Sequence, residues 1–204
     1  GGWRVATADG ALFRADGVIL AAPAHQSARM LGDLDPHLFR LLSQIPYASS
    51  ATVSLAYRRE DIAHPLDGFG FVAPEIERLP IIACTFSSVK YPGRAPAGHV
   101  LLRAFMGGAL NEAVLEEDDD ALAATAQRQL VELLGARALP LFTRVSRYPR
   151  AMPQYRVGHL KLVDAIEACL GKYPGLALAG GAYRGVGISD CVRSGEEAAE
   201  RLLV

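Results

Sequence analysis

Between Ser50 and Tyr57 apolar and polar positions alternate. Ala51, Val53, Leu55 and Tyr57 form one set, and Thr52, Ser54 and Ala56 the other. A period of two is that of a half-buried β-strand with a core face and a wetter one. Phe69 to Val72, Ile81 to Phe86 and Val100 to Met106 repeat the signal between Pro, Gly and Asp clusters, so this part of the chain is predicted to be an antiparallel sheet. The period then lengthens. Leu122, Ala126, Leu130, Leu133 and Leu134 recur at helical spacing, with Gly135 as a stop, and the acidic run Leu115-Glu-Glu-Asp-Asp-Asp120 reads as a solvated helix start that complements the helix dipole. Leu141 to Tyr148 is one more strand. The stretch from Pro149 to His159, with two prolines and no period, is an extended connector.

The two ends of the chain read differently. Trp3 to Thr7 and Leu12 to Phe13 flank Ala8-Asp-Gly10, a hairpin signal. Val18 to Ala22 is a continuous apolar run that fits a strand buried on both faces, closed by Pro23. Ala24 to Leu31 reads as a helix, and Asp35-Pro36 as the cap and first position of another running to about Ile45. Near the C-terminus, Leu162, Ile166, Cys169 and Leu170 mark a helix face, followed by a short apolar strand at Leu176. The class expected is α+β, an antiparallel or mixed sheet unit with helices (residues 33–154). Residues 1–32 and 155–204 form a second, discontinuous unit.

That last strand runs into Ala179-Gly-Gly-Ala-Tyr-Arg-Gly-Val-Gly-Ile-Ser-Asp190, ahead of an alanine-rich amphipathic segment. Gly180, Gly181, Gly185 and Gly187 permit positive φ and close backbone approach, and Ser189 or Asp190 offers an N-cap for the final helix. Strand, glycine loop and helix start together can cradle a phosphate or an electron-rich cofactor group. A plain strand-loop-helix turn uses glycines in the same way. The dinucleotide fingerprint G-x-G-x-x-G is absent from this loop.

The run Gly181-Ala-Tyr-Arg-Gly-Val-Gly-Ile-Ser-Asp-Cys-Val-Arg-Ser-Gly195, preceded by Met152-Pro-Gln-Tyr-Arg-Val-Gly-His159, resembles the C-terminal signature of the protoporphyrinogen oxidase family of the flavin-containing amine oxidase superfamily. Ala15 to Pro23, Asp67-Gly-Phe-Gly-Phe71 and Pro96 to Leu102 extend the resemblance in order over nearly the whole chain. It implies an FAD-dependent oxidase that converts protoporphyrinogen or coproporphyrinogen to the porphyrin in haem biosynthesis. It also implies that residues 1–32 and 155–204 are the C-terminal part of an FAD-binding domain whose N-terminal Rossmann half lies outside these residues. On this reading Gly180, Gly181, Ala182, Tyr183, Arg184, Gly185, Val186, Gly187, Ile188, Ser189, Asp190 and Cys191 line the flavin, and Arg184 has the alternative of bracing the loop. The substrate is flat and anionic, and Arg103 and Met106 are the candidates to meet it. Without its Rossmann half the chain is expected to hold FAD weakly or not at all and to self-associate through exposed apolar surface. An amine- or carotenoid-type oxidase is the alternative within the superfamily, and a non-catalytic binding or assembly module is the alternative outside it.

Composition narrows the field. A net charge of -1 argues against a nucleic-acid partner. No apolar run reaches the length of a bilayer span, so the expected location is cytoplasmic, with peripheral membrane contact left open. Cys84, Cys169 and Cys191 lack metal-like spacing and read as buried thiols. The histidines His25, His37, His64, His99 and His159 are scattered, with no i, i+4 pair to hold a metal, and no hydrolase elbow occurs. Arg103 shares a strand face with Leu101 and Phe105. It is read as ion-paired, as aimed at an anion-binding cleft, or as an outward-facing edge residue.

Overall fold

The computed structural model describes residues 2–203, which divide into two compact units. One comprises residues up to Pro46 together with those from Pro153 onward, and the other is Tyr47–Met152.

The second unit is a five-stranded antiparallel sheet backed by a helix. After three strands of the other unit (Trp3–Ala6, Leu12–Ala15 and Val18–Leu20, β1 to β3), strand β4 (Tyr47–Arg58) joins β5 (Gly70–Val72), β6 (Ile81–Phe86), β7 (His99–Gly107) and β8 (Phe142–Pro153) in the order β5-β6-β7-β4-β8. The alternation seen in the sequence sets its faces. Ala51, Val53, Leu55 and Tyr57 of β4 and Leu102, Ala104 and Met106 of β7 point inward, and Leu55, Leu102 and Met106 are all fully buried. Each large apolar side chain removed from water in this way contributes about 1.5–3 kcal/mol.

Helix α4 (Asp119–Leu134) lays Leu122, Ala126, Leu130 and Leu134 on that inner face. Asp118 caps it by accepting from the Ala121 amide at 2.8 Å, and Gly135 ends it at φ +62, where a Cβ would come within 2.8 Å of the Ala63 Cβ. The acidic run is more than a solvated start. Arg147 of β8 pairs with Asp119 at 2.7 Å and donates to the carbonyls of Leu115 and Glu117, tying the last strand to the helix entrance. Strand β8 itself extends through Pro153, so the first half of the expected connector is sheet.

The other unit holds a hairpin, β1 (Trp3–Ala6) with β2 (Leu12–Ala15), and a parallel pair, β3 (Val18–Leu20) with β9 (Leu176–Leu178). The Trp3 indole donates to the Pro174 carbonyl at 3.0 Å, fastening the hairpin beside β9. Strand β3 is not buried on both faces, since Ile19 is exposed.

Helices α1 (Ala24–Leu31), α2 (Pro36–Ser43), α5 (His159–Leu170) and α6 (Ile188–Leu203) complete this unit, while the short α3 (Ser87–Lys90) belongs to the sheet unit. Helix α2 packs on α1 and α5, which places the unit boundary at Pro46 rather than at residue 32. The capping aspartate explains this. Asp35 Oδ1 accepts the amides of His37 and Leu38 at 2.7 and 3.1 Å, and Oδ2 accepts the Tyr173 hydroxyl at 2.9 Å and the Cys169 thiol at 3.3 Å. One buried carboxylate therefore caps α2 and binds it to the end of α5. Among the described residues no helix is long and apolar enough to cross a membrane.

Candidate functional site

The glycine loop from Ala179 to Gly187 is held from three sides. Strand β9 delivers it, with the Ala179 amide donating to Leu20 of β3 at 3.1 Å. From α6, the Ser194 hydroxyl accepts the Gly180 amide at 3.0 Å. From the segment ahead of α5, the Tyr155 hydroxyl donates to the Gly181 carbonyl at 2.8 Å, and His159 Nε2 lies 2.7 Å from the Tyr183 carbonyl. A carbonyl only accepts, so Nε2 carries the proton. The two rings stack, with centroids 3.8 Å apart and planes 14° from parallel. The two runs that carried the family resemblance, separated in sequence, thus meet in space and fix one loop.

Arg184 turns away from the loop. Its guanidinium donates to both Glu167 carboxylate oxygens, at 3.1 and 2.7 Å, and to Asp164 at 2.8 Å on α5. Those hydrogen bonds, Glu167 foremost, raise its pKa further above the ordinary guanidinium value. The half-exposed geometry leaves the network screened by solvent. Arg184 is a brace between loop and helix, acting through carboxylates. Ala182 and Tyr183 are buried, while Val186, Gly187, Ile188 and Ser189 are exposed.

Glycine has a narrower use here than the sequence implies. Gly180 alone of the four takes positive φ, +111. Gly185 is required by crowding, because a Cβ there would meet Asp190 Cγ at 2.5 Å. The final helix starts at Ile188, so Ser189 and Asp190 lie in its first turn instead of capping it. Asp190 folds back over Gly185 and pairs with Arg193. The first-turn amides have no carbonyl one turn earlier to bond within the helix, which leaves them, together with the positive end of a 16-residue dipole, at the exposed end of the loop. Beside β9 a groove of about 480 Å³ runs between α5 and α6, lined among others by Leu176, Ala177, Leu178, Ile166, Leu170 and Ala198.

In the sheet unit, Arg103 is exposed on β7 between Thr85 of β6 and Ser54 of β4, a central strand and not an edge. It donates to the Ser54 hydroxyl at 3.3 Å. Met106 is fully buried in the core, because strand parity puts it on the face opposite Arg103. Packing accounts for Met106, and the outward residue beside it is Phe105. Arg103 and Phe105 line a depression of about 190 Å³ with Leu101, Thr85, Ser87, Lys90, Tyr91 and Arg94. Lys90, Tyr91 and Arg94 escaped the sequence reading, although a cation-aromatic-cation run was there to be seen.

The sequence profile of flavin containing amine oxidoreductases matches residues 1–203. The chain is 35% identical to coproporphyrinogen III oxidase of Staphylococcus aureus over 189 residues, which is 92% of this chain and 40% of that protein. It is 32% identical to the chloroplastic protoporphyrinogen oxidase 1 of Spinacia oleracea over 209 residues, 97% of this chain and 37% of that one. A crystal structure of an Exiguobacterium protein assigned to protoporphyrinogen oxidase superimposes with a TM-score of 0.83 at 32% identity, over all of this chain and 45% of that one. The chain therefore spans less than half the length of these relatives. With the fold, the anchored loop and this match over nearly its full length, the chain belongs to the flavin containing amine oxidoreductase family.

Proposed function

We propose that this chain is the C-terminal part of an FAD-dependent oxidase that converts a porphyrinogen to its porphyrin. The observation that carries the reading is the convergence of Tyr155, His159 and Ser194 on the backbone of Gly180, Gly181 and Tyr183. Three anchors on one loop leave little freedom at the entrance to α6, which is the rigidity a cofactor site needs.

The residues present fit a flavin. Gly187, Ile188 and Ser189 are open to solvent, so backbone amides at the start of α6 are reachable, and no acidic side chain stands free among residues 180–189. Asp190 is engaged by Arg193. A bound flavin supplies hydride acceptance from the saturated bridge carbons of the macrocycle, in successive rounds, with oxygen or another acceptor restoring it. The chain's contribution is electrostatic and positional. The positive end of α6 favours negative charge at the loop, and Val186, Ile188 and Val192 offer apolar surface beside it. On the sheet unit the outward face of β7 gives Leu101 and Phe105 on either side of one central cation, Arg103, a pairing of apolar and positive groups that suits an anionic ring.

The groove beside β9 supports the further reading that a Rossmann half outside these residues completes the flavin site. Its floor is a strand edge and its walls are two helices, the shape that one more strand of a doubly wound sheet fills. The isolated chain is then a binding and self-association module without activity.

The test is reconstitution of the full-length protein with FAD. Stoichiometric flavin and a rise of porphyrin fluorescence from protoporphyrinogen or coproporphyrinogen are expected. No flavin, or no fluorescence from either, overturns the reading, and peroxide release from an amine panel in their place establishes the amine-oxidase alternative.

A further inference from the structure

The porphyrinogen reading leaves open how substrates of different charge are told apart, and the depression on the outer face of the sheet unit bears on this. Three cations border it: Arg103 from the centre of β7, Lys90 at the end of α3, and Arg94 in the loop that follows. Lys90 and Arg94 both stand over the Tyr91 ring, with the ammonium nitrogen 5.5 Å and the guanidinium carbon 5.8 Å from its centroid. The Arg103 guanidinium donates to the neutral Ser54 hydroxyl.

No carboxylate is paired with any of the three among the described residues. Carboxylates serve other arginines of the chain, Asp119 at Arg147, Glu167 and Asp164 at Arg184, and Asp190 at Arg193, and the chain as a whole is near neutral, at -1. Uncompensated cations gathered on one face repel one another and lower stability unless an anion joins them. Leu101 and Phe105 flank Arg103 on the same face of β7, so the depression offers apolar side chains on either side of its central cation, with Lys90 and Arg94 lining it as well.

We propose that Lys90, Arg94 and Arg103 form a carboxylate-reading subsite that makes coproporphyrinogen, a tetracarboxylate, the preferred substrate over protoporphyrinogen, a dicarboxylate. The inference rests on the porphyrinogen reading above. Leu101 and Phe105 offer apolar contact to the ring of either substrate. The cations discriminate because the ring positions that carry additional carboxylates in one substrate carry uncharged vinyl groups in the other. A vinyl group leaves the cation solvated and gains nothing, whereas a carboxylate gains a charge-assisted hydrogen bond. Tyr91 holds Lys90 and Arg94 near the rim through its ring face, which limits the side-chain freedom lost on binding.

The experiment uses the full-length flavoenzyme and measures kcat/KM for both porphyrinogens by the appearance of porphyrin fluorescence. The wild type is expected to favour the tetracarboxylate. Arg103→Gln, and separately the double variant Lys90→Gln with Arg94→Gln, are expected to lower the ratio of the two kcat/KM values by about tenfold or more, chiefly through KM for the tetracarboxylate. Arg103→Lys is expected to recover part of the ratio, and raised salt to compress it in the wild type. Flavin content and melting temperature report whether each variant is folded. All three side chains are exposed, so the loop variant remains informative if Arg103→Gln fails to fold. A wild type that prefers the dicarboxylate, or a ratio that no folded variant moves, overturns the proposal. A wild type that oxidises neither substrate overturns the porphyrinogen reading instead.

Discussion

Tyr155 donates its hydroxyl proton to the Gly181 carbonyl at 2.8 Å while its ring lies flat on His159, so a residue ahead of α5 sets the position of a loop 26 residues further along. His159 completes the grip at Tyr183. If the loop holds the proposed flavin, neither side chain needs to touch it for its loss to be felt there.

Removing the hydroxyl alone, in Tyr155→Phe, takes away one hydrogen bond and keeps the stack, a loss of about 0.5–1.5 kcal/mol. His159→Leu leaves the Tyr183 carbonyl without its donor and costs about 1–3 kcal/mol, whereas His159→Gln can restore an N-H donor there. In the full-length protein the FAD dissociation constant is expected to rise up to about tenfold in Tyr155→Phe and more in His159→Leu, with His159→Gln recovering part of the loss. Flavin fluorescence titration checks the order. Equal values for all three variants and the wild type would show that the anchors do not govern the loop.

Gly185 and Asp190 make a second coupled pair. A methyl group at residue 185 would sit 2.5 Å from Asp190 Cγ, so Gly185→Ala must push either the loop or the first turn of α6 aside. Overpacking of this kind costs about 1–3 kcal/mol. Asp190→Gly, which removes the Asp190 Cβ at 2.6 Å as well as the carboxyl, should relieve it, so the double variant is expected to be more stable than the sum of the single losses predicts. Thermal melts of the four proteins measure the coupling, and strict additivity would mean that the loop accommodates the methyl group elsewhere.

Much of the sheet is legible because a two-residue period survives any loop length: spacing alone puts Ala51, Val53, Leu55 and Tyr57 on the core face, and all are fully buried. The same rule, applied strictly, separates Phe105 from Met106, since residues of opposite parity on one strand cannot share a face. Helix α1 and the Asp35 cap of α2 were legible from local chemistry. What α2 packs against was not. Its link to α5 is made by Asp35 reaching Cys169 and Tyr173, more than 130 residues away, and no local pattern encodes a contact at that distance. The glycines mark the loop, but its anchors are side chains whose partners are backbone groups, the carbonyls of Gly181 and Tyr183 and the amide of Gly180. Such partners leave no trace in residue type.

Asp35 also predicts a pH response. Its carboxyl is held well below the ordinary aspartate value of 3.8, first by the Leu38 amide and then by the Tyr173 hydroxyl and Cys169 thiol. A depressed folded-state pKa contributes stability that is present above the unfolded value and is lost as pH falls through the folded one. Unfolding midpoints in urea are therefore expected to drop as pH is lowered below about 4, and Asp35→Asn should flatten that slope. The same contact raises the Tyr173 pKa, so its contribution is present below the ordinary tyrosine value of 10.0 and is lost as pH climbs through the raised one. Tyr173→Phe should remove the alkaline limb and leave the acid limb reduced. An acid slope identical in Asp35→Asn and the wild type would assign it to other carboxylates.

The open edge of β9 allows the proposed completion of a flavin site to be tested with one atom. In the parallel pair the Gly175 carbonyl accepts from Val18 and the Ala179 amide donates to Leu20, so by alternation the Leu178 N-H points away from β3 and into the groove. Proline at 178 deletes that donor and leaves the β3 ladder its bonds, a substitution that edge strands tolerate. If the Rossmann half seats a strand against β9, this chain co-expressed with that half should form a yellow complex with stoichiometric flavin. Leu178→Pro should then reduce complex formation by about tenfold or more, the loss of a main-chain bond at an interface together with the clash of the proline ring. The chain expressed alone should hold little flavin and self-associate through apolar side chains such as Val186, Ile188 and Val192, which are 63%, 86% and 56% exposed. Size-exclusion chromatography with flavin absorbance reads both outcomes. A monomeric yellow chain without its partner half, or a Leu178→Pro complex as tight as the wild type, would place the completing contacts elsewhere on the molecule.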